Sequence, residues 1–478
     1  MLVLRTVAFA SVLSAFLVAS QLRAQSAADA SAADREFRAA VSHYQNGQYN
    51  IAGQELQALV RRIPPSFQVE ELLGLVYSAE RKDKAANRAL AEAVRLDPSS
   101  AAAYANLAVN LERLGRTGES EVEFKQALQA APADYEANQD LGEFYVRHGQ
   151  VSQAIPYLAE AQRLHPSSYG SGYDLALAEA EAGQLGAARL QIQQLLARKK
   201  TAELYNLAGE VDERSGNYIA AAQEYQQAAY MDPSEQNIFG WGSEFLIHHT
   251  WNAAIEVFGQ GVSRYPKSVP LTVGLGLAYY WHEDYDQAVK TLMRATDLNP
   301  SDPRPYYFLS HAFQRSQGEA GEVSARFRRF EDLQPLNPHA AYYYAMTLVK
   351  SHKLASSGPA LDQAESLLRK AVRIDPSYVR AYLLLGNLHS QEHQYAKAVP
   401  EYQRALELNP NLPDTYYHLG QAYAQLGKND LAQKEFRLHQ KVYAHHLAEN
   451  DRERSQTLKF VYAERGKGSK PGSMHDGP

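Results

Sequence analysis

The prolines of this 478-residue chain recur at a nearly fixed interval. Pro64, Pro98, Pro132 and Pro166 stand 34 residues apart, and Pro233 follows after 67, two periods less one residue. Pro266, Pro300 and Pro335 come next at steps of 33, 34 and 35, then Pro376 after 41 and Pro410 after 34. Few folds are compatible with such a period. It marks a stacked array of one supersecondary unit, in which each copy buries its apolar face against its neighbours.

Other columns keep the same phase. Twelve residues before each proline stands a small residue: Ala52, Ala86, Ser120, Ala154, Ala221, Ala254, Ala288, Val323, Ala364 and Ala398. Ala188 and Ala432 extend the column into repeats that lack the proline. Four residues after it comes a large apolar group, as at Phe124, Leu158, Tyr225, Phe258, Leu292, Tyr402 and Phe436. The first half of each unit carries a Leu-Gly pair with Tyr three residues on, at Leu73, Gly74, Tyr77; Leu141, Gly142, Tyr145; Leu275, Gly276, Tyr279; and Leu419, Gly420, Tyr423. Spacings of 3, 4 and 7 are those of one face of an α-helix. Gly47, Gly115, Gly149, Gly183, Gly216 and Gly427 fall between the halves, where a left-handed residue ends one helix. The proline stops the second helix. Each unit therefore reads as helix, turn, helix, stop.

These residues resemble the tetratricopeptide repeat family. The family pattern is met nearly in full at Leu275, Gly276, Tyr279, Ala288, Leu292, Ala295 and Pro300, and the resemblance covers residues 33–446. It implies an all-α fold, an α-solenoid or right-handed superhelix of about twelve helix-turn-helix repeats. It also implies a concave groove lined by the first helices, of the kind that binds extended peptides or partner helices. Two departures stand out. The fifth repeat ends Ala197-Arg198-Lys199-Lys200 without its proline, and the tenth carries an insert over Ser351–Ala360, expected to form a protruding loop.

Outside the repeats, residues 1–24 read as a secretory signal peptide. Arg5 precedes an apolar run of about 15 residues, too short for a membrane span of roughly 20. An exported chain, periplasmic or secreted, is expected; the alternative is an anchor formed by an uncleaved N-terminus. Residues 25–32 read as a linker, 447–465 as a C-terminal capping helix and 466–478 as a disordered tail. With 45% hydrophobic and 21% charged residues the chain can bury a core. The absence of cysteine excludes disulfides and thiolate chemistry, and a net charge of −6 argues against a nucleic-acid partner.

No catalytic constellation emerges, and neither a cofactor nor a metal is expected. His282-Glu283 does not continue to a zinc-binding pattern, because position 286 is Asp286. Gly274 and Gly276 belong to a helix rather than to a dinucleotide loop. The repeats take up nearly all the length, so the chain reads as a non-enzymatic interaction scaffold for a protein or peptide partner, with a setting in cell-envelope assembly expected. The alternative is a regulatory or substrate-recruiting subunit of an envelope enzyme system. The paired Lys and Asn by which some relatives hold a terminal carboxylate are missing, since Asn106 and Asn387 stand alone.

Helical phase puts Val273, Leu277, Tyr280 and Trp281 of repeat eight on the groove, with Arg304, Tyr307, His311, Gln314 and Arg315 of repeat nine and Phe239 of repeat seven. Aromatic residues with Arg are the composition of an interface hot spot. Phe239, Tyr280, Trp281, Arg304, Tyr307, His311, Gln314 and Arg315 are thus the candidate ligand-binding set. Ala105, Val109, Glu112, Arg113, Gln139, Glu143 and Arg147 line the corresponding N-terminal positions and carry no such cluster.

Overall fold

The computed structural model describes residues 24–318, 320–352, 358–443 and 448–466, with side chains from residue 32 onward and, in the last segment, from residue 454. The described residues form twenty-five helices and no strand. The chain divides into two compact units between Asn217 and Tyr218.

The first unit holds α1 (Ala24–Gln45), α2 (Tyr49–Val60), α3 (Phe67–Ala79), α4 (Asp83–Leu96), α5 (Ala101–Arg113), α6 (Thr117–Ala130), α7 (Tyr135–Arg147), α8 (Val151–Leu164), α9 (Tyr169–Glu181), α10 (Leu185–Leu196) and α11 (Ala202–Arg214). The second holds α12 (Tyr218–Met231), α13 (Glu235–Ile247), α14 (Trp251–Arg264), α15 (Val269–Trp281), α16 (Tyr285–Leu298), α17 (Pro303–Arg315), α18 (Ala320–Leu333), α19 (Pro338–Ser351), α20 (Pro359–Ile374), α21 (Val379–Gln391), α22 (Tyr395–Leu408), α23 (Pro413–Gln425), α24 (Asn429–Tyr443) and α25 (Ala448–Arg465). Within each unit every helix up to α24 packs on the next, and successive first helices also touch, as α13 with α15 and α15 with α17. This is an α-solenoid.

The sequence columns explain the packing. All twelve members of the small-residue column are buried, from Ala52 to Ala432. Opposite them the large column plugs the space that glycine leaves on the first helix. A Cβ on Gly74, Gly142 or Gly276 would lie 2.6 Å from the Leu90, Leu158 or Leu292 side chain respectively. At Gly386 and Gly420 it would meet Tyr402 at 2.5 Å and Phe436 at 2.7 Å. Leu-Gly is therefore retained because the ring or isobutyl group of the second helix sits where a Cβ would be.

The six glycines expected at the turn all have positive φ, between 71° and 80°. Repeats without that glycine place Arg81, His249, Glu283 and His393 in the same left-handed conformation, at φ 58–66°. Past the second helix, the Asp or Asn before the proline folds the chain over. Asp97, Asn299, Asp375 and Asn409 each accept the backbone N–H two residues on, at 2.9–3.2 Å. The next helix is then capped by a side chain, as Asp134 on the Ala137 N–H at 2.8 Å and Ser268 on the Leu271 N–H at 3.1 Å.

Residues 25–32, expected as a linker, belong to α1; the run AQSAADASAAD is rich in Ala, the strongest helix former. The expected signal peptide lies outside the described residues, as do 353–357 of the expected loop and 467–478 of the expected tail. The segment expected to cap the last repeat is helical, but α25 packs on α13 and α15. Among the described residues no helix is long and apolar enough to cross a membrane.

Candidate functional site

The groove face of α13, α15 and α17 is covered by the chain's own α25. Phe460, 5% exposed, stands edge-on to Phe239 at 5.9 Å and to Phe308 at 5.7 Å between ring centroids. Val461 beside it is fully buried. One turn earlier, the Trp281 indole Nε1–H donates to the Thr457 hydroxyl at 3.2 Å. One turn later, Glu464 pairs with Arg304, whose guanidinium is also held by Asp302 at 2.6–3.1 Å and lies over the Phe460 ring. Arg465 ends the helix. It donates to the Ser243 hydroxyl at 2.6 Å and to the Gly240 carbonyl at 3.2 Å, meets Glu244 at 3.1 Å and covers the Tyr225 ring at 4.9 Å.

The fit is close. Leu277, Tyr280, Tyr307, Phe308, His311 and Thr457 enclose a void of about 10 Å³, room for at most one water molecule. The groove's floor is dry, with Val273 and Leu277 at 0% and 1% exposure.

The candidate residues therefore converge on one place, although several differ from their expected state. Phe239, Tyr280 and His311 are buried rather than open to solvent, because α25 or a neighbouring repeat covers them. Trp281 is half-buried, stacked on Trp251 at 6.2 Å and bonded to α25. Tyr307 leans on His311 at 4.6 Å, and His311 Nε2 takes a hydrogen bond from Arg380 at 3.2 Å, so that nitrogen is the unprotonated one. Gln314 and Arg315 are exposed at the rim. Gln314 reaches Met346 Sδ at 3.1 Å, and Arg315 lies over the Tyr280 and Tyr285 rings at 5.1 and 5.8 Å.

Sequence reasoning missed Phe308, Ser243, Glu244 and Tyr225. Phe308 had a signal: the column reading Gly240 and Gly274 in the two preceding first helices becomes Phe in the third, 34 residues on. Glu244 and Ser243 had none, because their role appears only once Arg465 is placed beside them.

The first unit's groove positions are less quiet than expected. Arg113, almost fully buried, pairs with Asp83 and donates to the Ser78 hydroxyl at 2.6 Å. Glu112 receives Arg147 at 3.0 Å and His148 at 3.0 Å. Gln139 is fully buried and its amide N–H groups donate to Glu143 at 2.9 Å and Asp174 at 2.6 Å. These contacts tie side chains one repeat apart into a ladder. Glu71, 6% exposed, is held protonated well above its ordinary range: burial and the nearby Asp97 charge push it up to about 7, against a hydrogen bond from Asn106. Asn387, the other lone asparagine, accepts the Tyr402 hydroxyl at 2.9 Å. Among the described residues no His, Asp and Glu group has the arrangement to hold a metal ion.

Comparison with known sequence families agrees with this architecture. Sequence models described as tetratricopeptide repeat match residues 37–101, 113–168 and 273–302, and one described as TPR repeat matches 391–427. The chain is similar to anaphase-promoting complex subunit 3 of Schizosaccharomyces pombe, at 26% identity over 204 residues, 42% of this chain and 29% of the relative. It is also similar to the protein O-mannosyl-transferase TMTC3 of Mus musculus, at 23% identity over 192 residues, 38% of this chain and 20% of the relative. The matched stretches thus span less than a third of these relatives. Among solved structures, the APC/C hetero-tetramer Cut9–Hcn1 aligns with 90% of this chain and 96% of its own at 12% identity, with a TM-score of 0.37.

Proposed function

The chain belongs to the tetratricopeptide repeat family, and on that premise we propose that it is an exported, non-catalytic scaffold that binds a protein partner through the groove of α13, α15 and α17. One observation carries this above others: the groove already accommodates a helix, gripping it with aromatic, Arg and Glu side chains drawn from three successive repeats. Buried aromatics and Arg at the centre of a dry patch are the usual anchors of an interface. Export is inferred from residues 1–24, and a role in cell-envelope assembly is proposed with it. A second role is favoured by the transferase among the relatives: the chain recruits substrate for an envelope enzyme whose catalytic part is on another polypeptide.

The test is crosslinking in the exported fraction followed by mass spectrometry. The partner is expected on α13, α15 and α17, and the chain recovered there is expected to begin after residue 24. The double change Trp281→Ala and Arg315→Ala should weaken partner binding at least tenfold, about 1.4 kcal/mol, while helicity is kept. Unchanged binding by the folded double variant would defeat the groove assignment. An intact N-terminus in the cytosolic fraction would defeat export. An enzyme as the crosslinked partner would favour the recruiting role over the structural one.

A further inference from the structure

α25 is built unlike the helices it rests on. Its sequence carries neither the small column nor the Leu-Gly pair, so it is not a half-repeat. Among its described side chains only Phe460 and Val461 are buried apolar groups, whereas α15 alone buries Leu271, Val273, Leu277, Ala278 and Tyr280. What it presents to the groove is one stripe: Thr457, Phe460, Val461, Glu464 and Arg465, at spacings of 3, 4, 7 and 8. That is the stripe by which an amphipathic helix lies in a groove. Four of the five have a named receptor: an indole N–H for Thr457, a Phe239–Phe308 slot for Phe460, Arg304 for Glu464, and Glu244 with Ser243 for Arg465, while Val461 is fully buried beside Phe460. Glu244, 1% exposed with α25 in place, meets Arg465 with one carboxylate oxygen and His248 of its own helix with the other, each at 3.1 Å.

Taking the groove reading above as its basis, we infer that α25 is a displaceable self-ligand, and that the partner is an amphipathic helix with the same stripe. That stripe is a hydroxyl or small residue, an aromatic-aliphatic pair three and four places on, then an acid and a base seven and eight places on. α25 belongs to the same chain as the groove, so its docking is intramolecular and takes place at a high effective concentration. A partner helix must outcompete it, and with two buried apolar groups among its described side chains α25 is lightly held.

The experiment uses the full chain and, as the probe, a fluorescein-labelled peptide of residues 448–466, read by anisotropy. The double change Phe460→Glu and Arg465→Glu removes α25's two main anchors. The peptide should bind this released chain at least tenfold more tightly than the unaltered chain. A peptide bearing Phe460→Glu should not bind either chain. Equal affinity for both chains, or none for the released one, would overturn the inference. So would loss of repeat helicity in the variant, which would make α25 an integral part of the fold. Association of the released chain into dimers without peptide binding would assign the groove to a second copy and overturn the partner. Hydrogen exchange on the unaltered chain tests the same point without a variant. Amides of 457–465 should exchange at least tenfold faster than those of α13 and α15, and equal protection would overturn displaceability. A peptide that binds the released groove while the crosslinked partner maps to other helices would defeat the functional reading alone. A partner that maps to the groove yet binds both chains equally would defeat the self-ligand alone.

Discussion

Trp281 donates its indole N–H to the hydroxyl of Thr457, 176 residues further along the chain, across 3.2 Å. That bond joins the eighth repeat to a helix that lies beyond the last one. The remaining long-range contacts of unit 2 are mostly those of a repeat array, helix to next helix and repeat to next repeat. Contacts of α25 with α13 and α15 break that rule, and the groove's state depends on them.

The glycine column gives a paired prediction. Gly276→Ala would put a methyl group 2.6 Å from Leu292 Cγ, and Leu292 is fully buried, so the second helix must move. Overpacking of this kind costs about 1–3 kcal/mol. Gly259 lies inside α14 with nothing within 4 Å of its added Cβ, so Gly259→Ala should stabilise by about 0.5–1 kcal/mol through helix propensity. Thermal melts of the two variants should shift in opposite directions. A shift of the same sign would refute the packing account of Leu-Gly.

At the turn, Glu283 holds φ 66°, where repeats elsewhere use glycine. The left-handed conformation costs a non-glycine residue about 1–2 kcal/mol, partly offset by glycine's greater loss of backbone entropy. Glu283→Gly should therefore raise stability by roughly 0.5 kcal/mol, and Glu283→Val should lower it. Denaturant midpoints check both; a destabilising Gly would mean the Glu283 side chain contributes more than its backbone strain removes.

Much of this architecture is legible in residue spacing, since the columns at Ala288, Leu292 and Gly276 encode which surfaces must touch. Repetition supplies the phase, and phase places Trp281, Tyr307 and Arg304 on one face. The occupant is not legible that way. α25 lies outside the period, and its stripe of Thr457, Phe460, Val461, Glu464 and Arg465 is compatible with the end of the last repeat or with any groove of suitable width. Only the placement of Glu244 and Arg304, far away in sequence, selects the groove of repeats seven to nine. The polar ladder around Gln139 was hidden for a related reason: Glu143, Asp174 and Arg147 look like ordinary solvated charge until repeats are stacked 34 or 35 residues apart.

Glu71 predicts a pH dependence in the first unit. Its carboxyl is raised from an ordinary 4.5 to about 7, by burial first and the Asp97 charge second. The native state keeps this proton through a window in which the unfolded chain has lost it. The native state then binds more protons, so stability is fully present below about pH 4.5 and falls as pH rises to about 7. At about 1.4 kcal/mol per unit the loss is on the order of 3 kcal/mol. Glu71→Gln should abolish this slope and leave the chain more stable than the parent above pH 7. Urea unfolding at several pH values, followed by circular dichroism, checks it. A parent whose stability rises between pH 4.5 and 7 by the same amount as the variant's would contradict it.

The placement of α25 is tested most directly by a photocrosslinker. Replacing Trp281 with p-benzoylphenylalanine keeps an aromatic group on the floor of the groove, and irradiation of the full-length chain followed by trypsin identifies what it touches. The product should contain residues 455–459, the tryptic segment that holds Thr457 and lies between Arg454 and Lys459. Attachment solely to α13, α14 or α17, with residues 455–459 recovered unmodified, would mean that α25 does not occupy the groove.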